Sequence, residues 1–134
     1  MTGKNIHNLW IIDTGASNHM TGNLKHLCEL RIAQGCSVGL PDGQHVVATK
    51  EGTVILDGGL RLENVLYVPK LNCNLIFVSR MIDKSKCVVQ FTNKLCVIQD
   101  RTSRMLIGAG ERKDGLYFYH GVQDVKVFQI NAVN

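Results

Sequence analysis

A chain of 134 residues is sized for one domain with a modest core, and its 45% hydrophobic and 19% charged content suits a globular protein rather than a disordered one. No apolar run approaches the roughly 18 residues of a membrane span, and the N-terminus MTGKNIHN lacks the apolar core of a signal peptide, so no membrane is expected and the expected compartment is the cytosol. The net charge of +4 is thinly spread, which argues against a nucleic-acid partner.

The cysteines are Cys28, Cys36, Cys73, Cys87 and Cys96, an odd number with no CxxC spacing. Free buried thiols in a reducing compartment are the plain reading, not a disulfide framework or a zinc site. His19, His26 and Cys28 lie close in sequence, but the gap between the histidines matches no familiar ligand pair, so no metal is expected.

In chain order, NLWIID is an apolar run short enough for a buried strand. NLKHLCEL places Leu24, Leu27 and Cys28 at helical offsets, enough for one or two helical turns. CSVGLPDGQHVVATK carries the turn signal Pro41-Asp42-Gly43 between two strand-like arms. GTVILDGGLRLENVLYVP predicts a second hairpin about Asp57-Gly58-Gly59, its return strand ended by Pro69. NLIFVSRMI predicts a short helix, and KCVVQF and KLCVIQD predict strands around the polar turn Thr92-Asn93. DRTSRMLIGAGERKDGLYFYHG reads as further hairpin material, and VQDVKVFQINAVN as a frayed or linker-like tail. Many short strands with regular turn signals predict an all-β barrel or closed sandwich with one or two short helices.

One short stretch carries chemistry. In WIIDTGASNHM an aspartate follows an apolar run and precedes Thr-Gly-Ala-Ser. Peptide hydrolysis without a covalent intermediate needs a base to activate water and an acid to protonate the carbonyl and the leaving amine. Two close carboxyl groups sharing one proton supply both, because like charges at ~3 Å resist joint ionisation. Asp13 would be such a carboxylate at the end of a buried strand. Gly15 would let the backbone turn and present its N–H to it, Thr14 would offer a hydroxyl to a partner loop, Ala16 would keep the turn slim, and Ser17 would add a donor. The same triplet is also ordinary turn vocabulary. It occurs once in the chain and there is no internal repeat, so one chain holds half of such a pair.

Four stretches in order, WIIDTGASNHMTG, LPDGQHVVATKEGTVIL, LRLENVLYVPKLNCNLIFVSRM and VVQFTNKLCVIQD, closely resemble the protease region of Pol polyproteins of copia-type LTR retrotransposons, particularly those of plants. The resemblance covers about Leu9 to Tyr119. It implies a small closed retropepsin-like β-barrel acting as a symmetric homodimer, with Asp13 and its symmetry mate as the catalytic pair. Thr14, Gly15 and Ala16 match the supporting loop. The implied substrate is the element's own Gag-Pol polyprotein, cut during particle maturation in cytoplasmic virus-like particles, and no cofactor is implied. On this basis residues 1–8 form an N-terminal extension and 9–100 the protease domain. Residues 101–134 form a C-terminal extension resembling the start of the pre-integrase segment, either added to the barrel or cut as a linker.

Three parts of the resemblance need interpretation. Leu40, Pro41, Asp42, Gly43 and Gln44 stand where retroviral relatives carry a substrate-covering flap, and the tip reads either as that flap or as a surface hairpin. Retroviral proteases carry an apolar-apolar-Gly motif before their C-terminal helix, whereas this chain has Leu75, Ile76 and Phe77, expected to pack beneath the catalytic loop. His19 belongs to the family motif and is expected to fix the loop by a hydrogen bond. A β-barrel that binds or assembles without cleaving remains the competing reading.

Overall fold

The computed structural model describes residues 9–40 and 42–121. The first segments are β1 (Trp10–Asp13), β2 (Met20–Thr21), a 3-10 turn (Leu24–His26) and the hairpin β3 (Cys28–Gly39) with β4 (His45–Ile55). They are followed by β5 (Arg61–Tyr67), β6 (Asn74–Phe77) and the helix α1 (Val78–Ser85). The chain then runs through β7 (Cys87–Phe91), β8 (Leu95–Asp100), β9 (Leu106–Lys113) and β10 (Leu116–Gly121). The predicted tail VQDVKVFQINAVN, the extension 1–8 and Pro41 lie outside the described residues.

The strands form one sheet in the order β3-β4-β5-β2-β6-β1-β10-β9-β8-β7. β1 lies inside it, parallel to β6 with Trp10 opposite Asn74 and Asp13 opposite Phe77. On its other side it is antiparallel to β10, with Ile12 opposite Tyr117. Side chains alternate across a strand, and β1 uses both faces. Trp10 and Ile12 enter a core with Leu62, Ile76, Met81 and Ile98, while Ile11 packs on a second core of Met20, Leu40, Leu66, Leu71 and Leu75. An apolar run with no polar face suits a strand buried on both sides.

The mostly-β expectation holds, but the barrel is not closed. β3 and β7 are the two edges of the sheet, and no pairing joins them among the described residues. Turn signals count strands, whereas closure depends on whether the first and last meet in register. Here β3 carries two register shifts and left-handed backbone at Glu29 and Gly35, which bend an edge out of line. Arg31–Glu51 and Arg61–Glu29 ion pairs add charge along it. The curl is instead bridged by a side chain: Tyr119 Oη on β10 donates to the Asp57 carbonyl in the β4–β5 turn at 2.7 Å. Burial, aided by the Asp57 charge, pushes the Tyr119 phenol up to about 12.

Two local expectations take definite form. NLIFVSRMI divides, with Asn74–Phe77 extended between β2 and β1 and the helix starting at Val78. Pairing on both sides outweighs the helical preference of Leu75. Of the turns expected in NLKHLCEL only Leu24–His26 forms, its first free N–H capped by Asn23, and Cys28 enters β3. The β9–β10 hairpin pairs with both β8 and β1, so residues 106–121 belong to the same sheet as the strands before residue 100.

The expectation of buried thiols holds for only part of the set, because the cysteines are graded by burial. Cys28 and Cys36 are exposed, and Cys87 and Cys96 are buried. Burial raises the Cys87 thiol and pushes Cys96 up to about 12, while Cys73 is raised by burial and by the Asp13 charge. A thiol reagent should therefore titrate Cys28 and Cys36 quickly in the native state, Cys73 slowly, and Cys87 and Cys96 only on unfolding. Five fast thiols in a native time course would contradict this packing.

Candidate active site

Asp13 is the last residue of β1, half-buried where the strand leaves the sheet. Both edges of β1 are paired, so the residue is presented from a rigid base. The chain turns at once through Thr14 and Gly15, and the Gly15 N–H donates to Asp13 Oδ1 at 2.8 Å. Gly15 is not among the residues with left-handed backbone. A Cβ there would stand 3.4 Å from the same carboxylate oxygen, an ordinary contact, so the feature that matters at this position is the N–H given to Asp13. Thr14 is exposed, Ala16 is half-buried, and Ser17 accepts from Asn18 Nδ2 at 3.2 Å.

Leu75, Ile76 and Phe77, expected beneath the loop, lie on β6 alongside Ile11, Ile12 and Asp13 of β1. Ile76 is fully buried in the first core and Leu75 is buried in the second, while Phe77 is half-buried. Phe77, opposite Asp13 in the register, is the link to His19. The Phe77 N–H donates to His19 Nδ1 at 2.8 Å, while the Leu66 N–H donates to the His19 carbonyl at 2.9 Å. His19 thus ties the far end of the loop after β1 to the strand alongside Asp13 and to the start of α1. Arg80, which sequence reading passed over, lies 5.9 Å over the Phe77 ring. A further hub is Asn74, which accepts from Thr21 Oγ1 at 2.6 Å and donates to the Leu9 carbonyl at 2.8 Å. An asparagine opening an otherwise apolar strand was the signal for it.

Burial, with the Arg80 charge, lowers His19 from its ordinary 6.5 to about 4. Nδ1 must stay unprotonated to accept from Phe77, which fits a neutral imidazole. The folded state binds this proton more weakly than the unfolded chain does. The stabilisation is therefore complete above pH 6.5 and is lost as pH falls toward 4. Urea midpoints should drop between pH 7.5 and pH 5 by an amount equivalent to about 2 kcal/mol, with a clearly shallower slope in His19→Gln. Equal slopes would show that His19 does not titrate as placed.

Asp13 and Thr14 open onto a pocket of about 400 Å³, lined also by Ile11, Ile12, Phe91, Gly115, Leu116 and Tyr117. Asp13 is the one acid among these lining residues. Leu40, Asp42, Gly43 and Gln44 are not among its lining residues. The hairpin tip is occupied with itself and the second core: the Leu40 N–H donates to the Gln44 carbonyl at 2.7 Å, the Gly43 N–H to the Leu40 carbonyl at 2.9 Å and the Gln44 N–H to Asp42 Oδ1 at 2.9 Å. The Leu40 side chain is buried in that core. The structure thus brings Asp13, Gly15, His19 and Phe77 together through β1, β6 and the loop between β1 and β2.

Comparison with known proteins places this geometry in a family context. Residues 10–87 match the family described as Pol polyprotein, beta-barrel domain. Two Arabidopsis thaliana proteins are similar, the retrovirus-related Pol polyproteins from transposons RE2 and RE1. They are 31% and 30% identical over 114 residues, covering 82% of this chain and 8% of each relative. The chain therefore spans about 8% of the length of the curated relatives it matches. No solved structure matches.

Proposed function

Because the chain belongs to the Pol polyprotein β-barrel domain family, we propose that it is a retropepsin-like aspartic endopeptidase of a copia-type retrotransposon, active as a symmetric homodimer on its own Gag-Pol polyprotein. The observation that carries this reading is Asp13: a half-buried carboxylate at the end of an internal strand, oriented by the Gly15 N–H and opening on a pocket with no other acid. A lone oriented carboxylate is half of an acid–base pair, and a second copy related by a two-fold axis supplies the other half.

The chemistry is then a concerted proton exchange. One Asp13 carboxylate takes a proton from the bound water, whose oxygen attacks the peptide carbonyl carbon. The protonated Asp13 of the second copy donates to the carbonyl oxygen. The first Asp13 then passes its proton to the amide nitrogen while the second takes one from a hydroxyl of the tetrahedral species. The C–N bond breaks, and amine and carboxylic acid leave with the pair restored. No cofactor takes part. Both edges of β1 are already paired, to β6 and β10, so the dimer cannot form by adding strands to β1. The loop 13–17, with the exposed Thr14, must carry the axis. The expected setting is cytoplasmic, within virus-like particles, with a polypeptide as substrate and no nucleic acid or membrane bound by this segment.

Sedimentation equilibrium at micromolar concentration, read beside cleavage of a peptide spanning a polyprotein junction, tests the proposal. Specific activity should rise with protein concentration in step with the dimer fraction, and a statine-type transition-state mimic should inhibit it. Cleavage by a strictly monomeric species would overturn the shared centre. A second reading, a β-barrel that binds without cleaving, is favoured by the description of the matching family, which names a β-barrel and no protease. It predicts peptide binding with no hydrolysis.

A further inference from the structure

The net charge of +4 is thinly spread along the sequence but not through the fold. Residues 1–79 hold six basic and six acidic residues, whereas residues 80–121 hold eight basic and four acidic. The whole excess therefore lies on α1 and the strands after it. In the balanced part, Arg31 is paired with Glu51, and Arg61 with Glu29 and Glu63. The excess gathers where α1 ends beside the turn between β8 and β9. Lys84 and Lys86 close the helix, and Arg101 and Arg104 lie in the turn. All four are exposed, and none makes an ion pair among the described residues.

Backbone bonds hold these two ends together before any partner arrives. The Arg101 N–H donates to the Lys86 carbonyl at 2.9 Å, next to the Cys87–Asp100 pair at the end of the β7–β8 ladder. The Arg104 N–H donates to the Asp100 carbonyl at 3.0 Å. Lys86 and Arg104 have left-handed backbone, with φ 53° and 64°. Glycine takes such positions without steric cost, yet long cations stand there. Two acids are near. Asp83 is exposed on α1, and Asp100 Oδ1 accepts from the Thr102 and Ser103 N–H groups at 2.9 and 2.8 Å. Four cations against these two acids leave this end positive.

We infer that Lys84, Lys86, Arg101 and Arg104 form an exosite that holds an acidic stretch of the polypeptide substrate, away from the pocket at Asp13. This rests on the protease reading of Asp13. β7 sets the separation: its last residue, Phe91, lines that pocket, and its first, Cys87, follows Lys86. A strand of this length covers about 17 Å, which an extended peptide spans in about five residues. The acids would therefore lie about five or more residues from the bond that is cut. Carboxylates suit the surface better than an RNA strand does. No aromatic ring occurs in residues 84–86 or 101–105 for a base to stack on. Exposed ion pairs are weak singly, but several on one segment tethered by the bound scissile region act together.

The experiment compares a short peptide spanning a polyprotein junction with the same peptide carrying a run of glutamates about six residues from the cut bond. Cleavage is read at low and high salt for wild type and for Lys86→Gln/Arg101→Gln, and binding of the labelled glutamate run is followed by fluorescence anisotropy. Both residues are exposed, so neither change disturbs a core. Wild type should cleave the extended peptide with about tenfold higher kcat/KM, gained through KM, and high salt should erase the gain. The double variant should cut that advantage about fivefold while cleaving the short peptide as wild type does. An advantage that survives both substitutions overturns the exosite and leaves the Asp13 mechanism standing. Tighter binding of an oligouridylate of equal charge than of the glutamate run assigns the surface to nucleic acid and also overturns it. Binding of the glutamate run by wild type and not by the variant, with neither peptide cleaved, supports the acidic-segment site and overturns the protease reading.

Discussion

Asp13→Asn should yield a folded protein that no longer cleaves, with kcat/KM lower by at least ~10³-fold. The amide oxygen can still accept the Gly15 N–H that the carboxylate accepts at 2.8 Å, so the loop keeps its shape. What is lost is a group that can take a proton from water and return it. In a homodimer the substitution removes both carboxylates at once. Mixed dimers make the sharper test. If Asp13 from each subunit is needed, an equal mixture of wild-type chains and chains carrying Asp13→Asn, allowed to exchange, should retain about a quarter of the activity. Independent subunits would retain about half. Persistent cleavage by the pure variant would remove Asp13 from the mechanism altogether.

The largest loss of stability should follow Gly22→Ala. A Cβ at Gly22 would lie 1.7 Å from the Leu71 carbonyl oxygen and 2.8 Å from its carbon. Backbone stands on both sides of that approach, so no flexible side chain can swing away. The neighbouring residues transmit the shift. Thr21 is bonded to Asn74, and Asn74 to the Leu9 carbonyl at the entry to β1, so moving Gly22 disturbs the strand that carries Asp13. A cost of about 3 kcal/mol or more is expected, a large share of the roughly 5–15 kcal/mol that holds a domain of this kind together. Urea denaturation measures it. Gly43→Ala is the useful contrast: its backbone is left-handed, with φ +89°, but nothing lies within 4 Å of an added Cβ, so only about 1 kcal/mol is expected. Equal midpoints for the two variants would mean the chain does not pass so close to Leu71.

The two halves of this protein's chemistry differ in how far they could be read in advance. Asp13 after LWII, the hairpin turns at residues 41–43 and 57–59, and the strands around Thr92-Asn93 all follow from neighbours within a few residues. Turn chemistry and the apolar run are short-range signals, and they are written where they act. The loop-fixing role expected of His19 is matched by a bond, but its partner, the Phe77 N–H, lies 58 residues away. Nothing in SNHM names that partner.

The same limit explains what local sequence left open. The short helix expected within NLIFVSRMI forms from Val78, while Asn74–Phe77 before it is a strand because β1 and β2 flank it. At the hairpin tip the Leu40, Gly43 and Gln44 N–H groups bond within the tip and Leu40 packs in the second core. The sequence by itself determined a β-rich domain, its turn positions and one candidate carboxylate, because each depends on adjacent residues. Only the tertiary structure decided that β10 closes the outer edge of β1, that Phe91 and Leu116 wall the pocket, and that the sheet stays open. Those pairings join segments up to about a hundred residues apart, and they are selected by two cores filling together, a collective condition that no local stretch encodes.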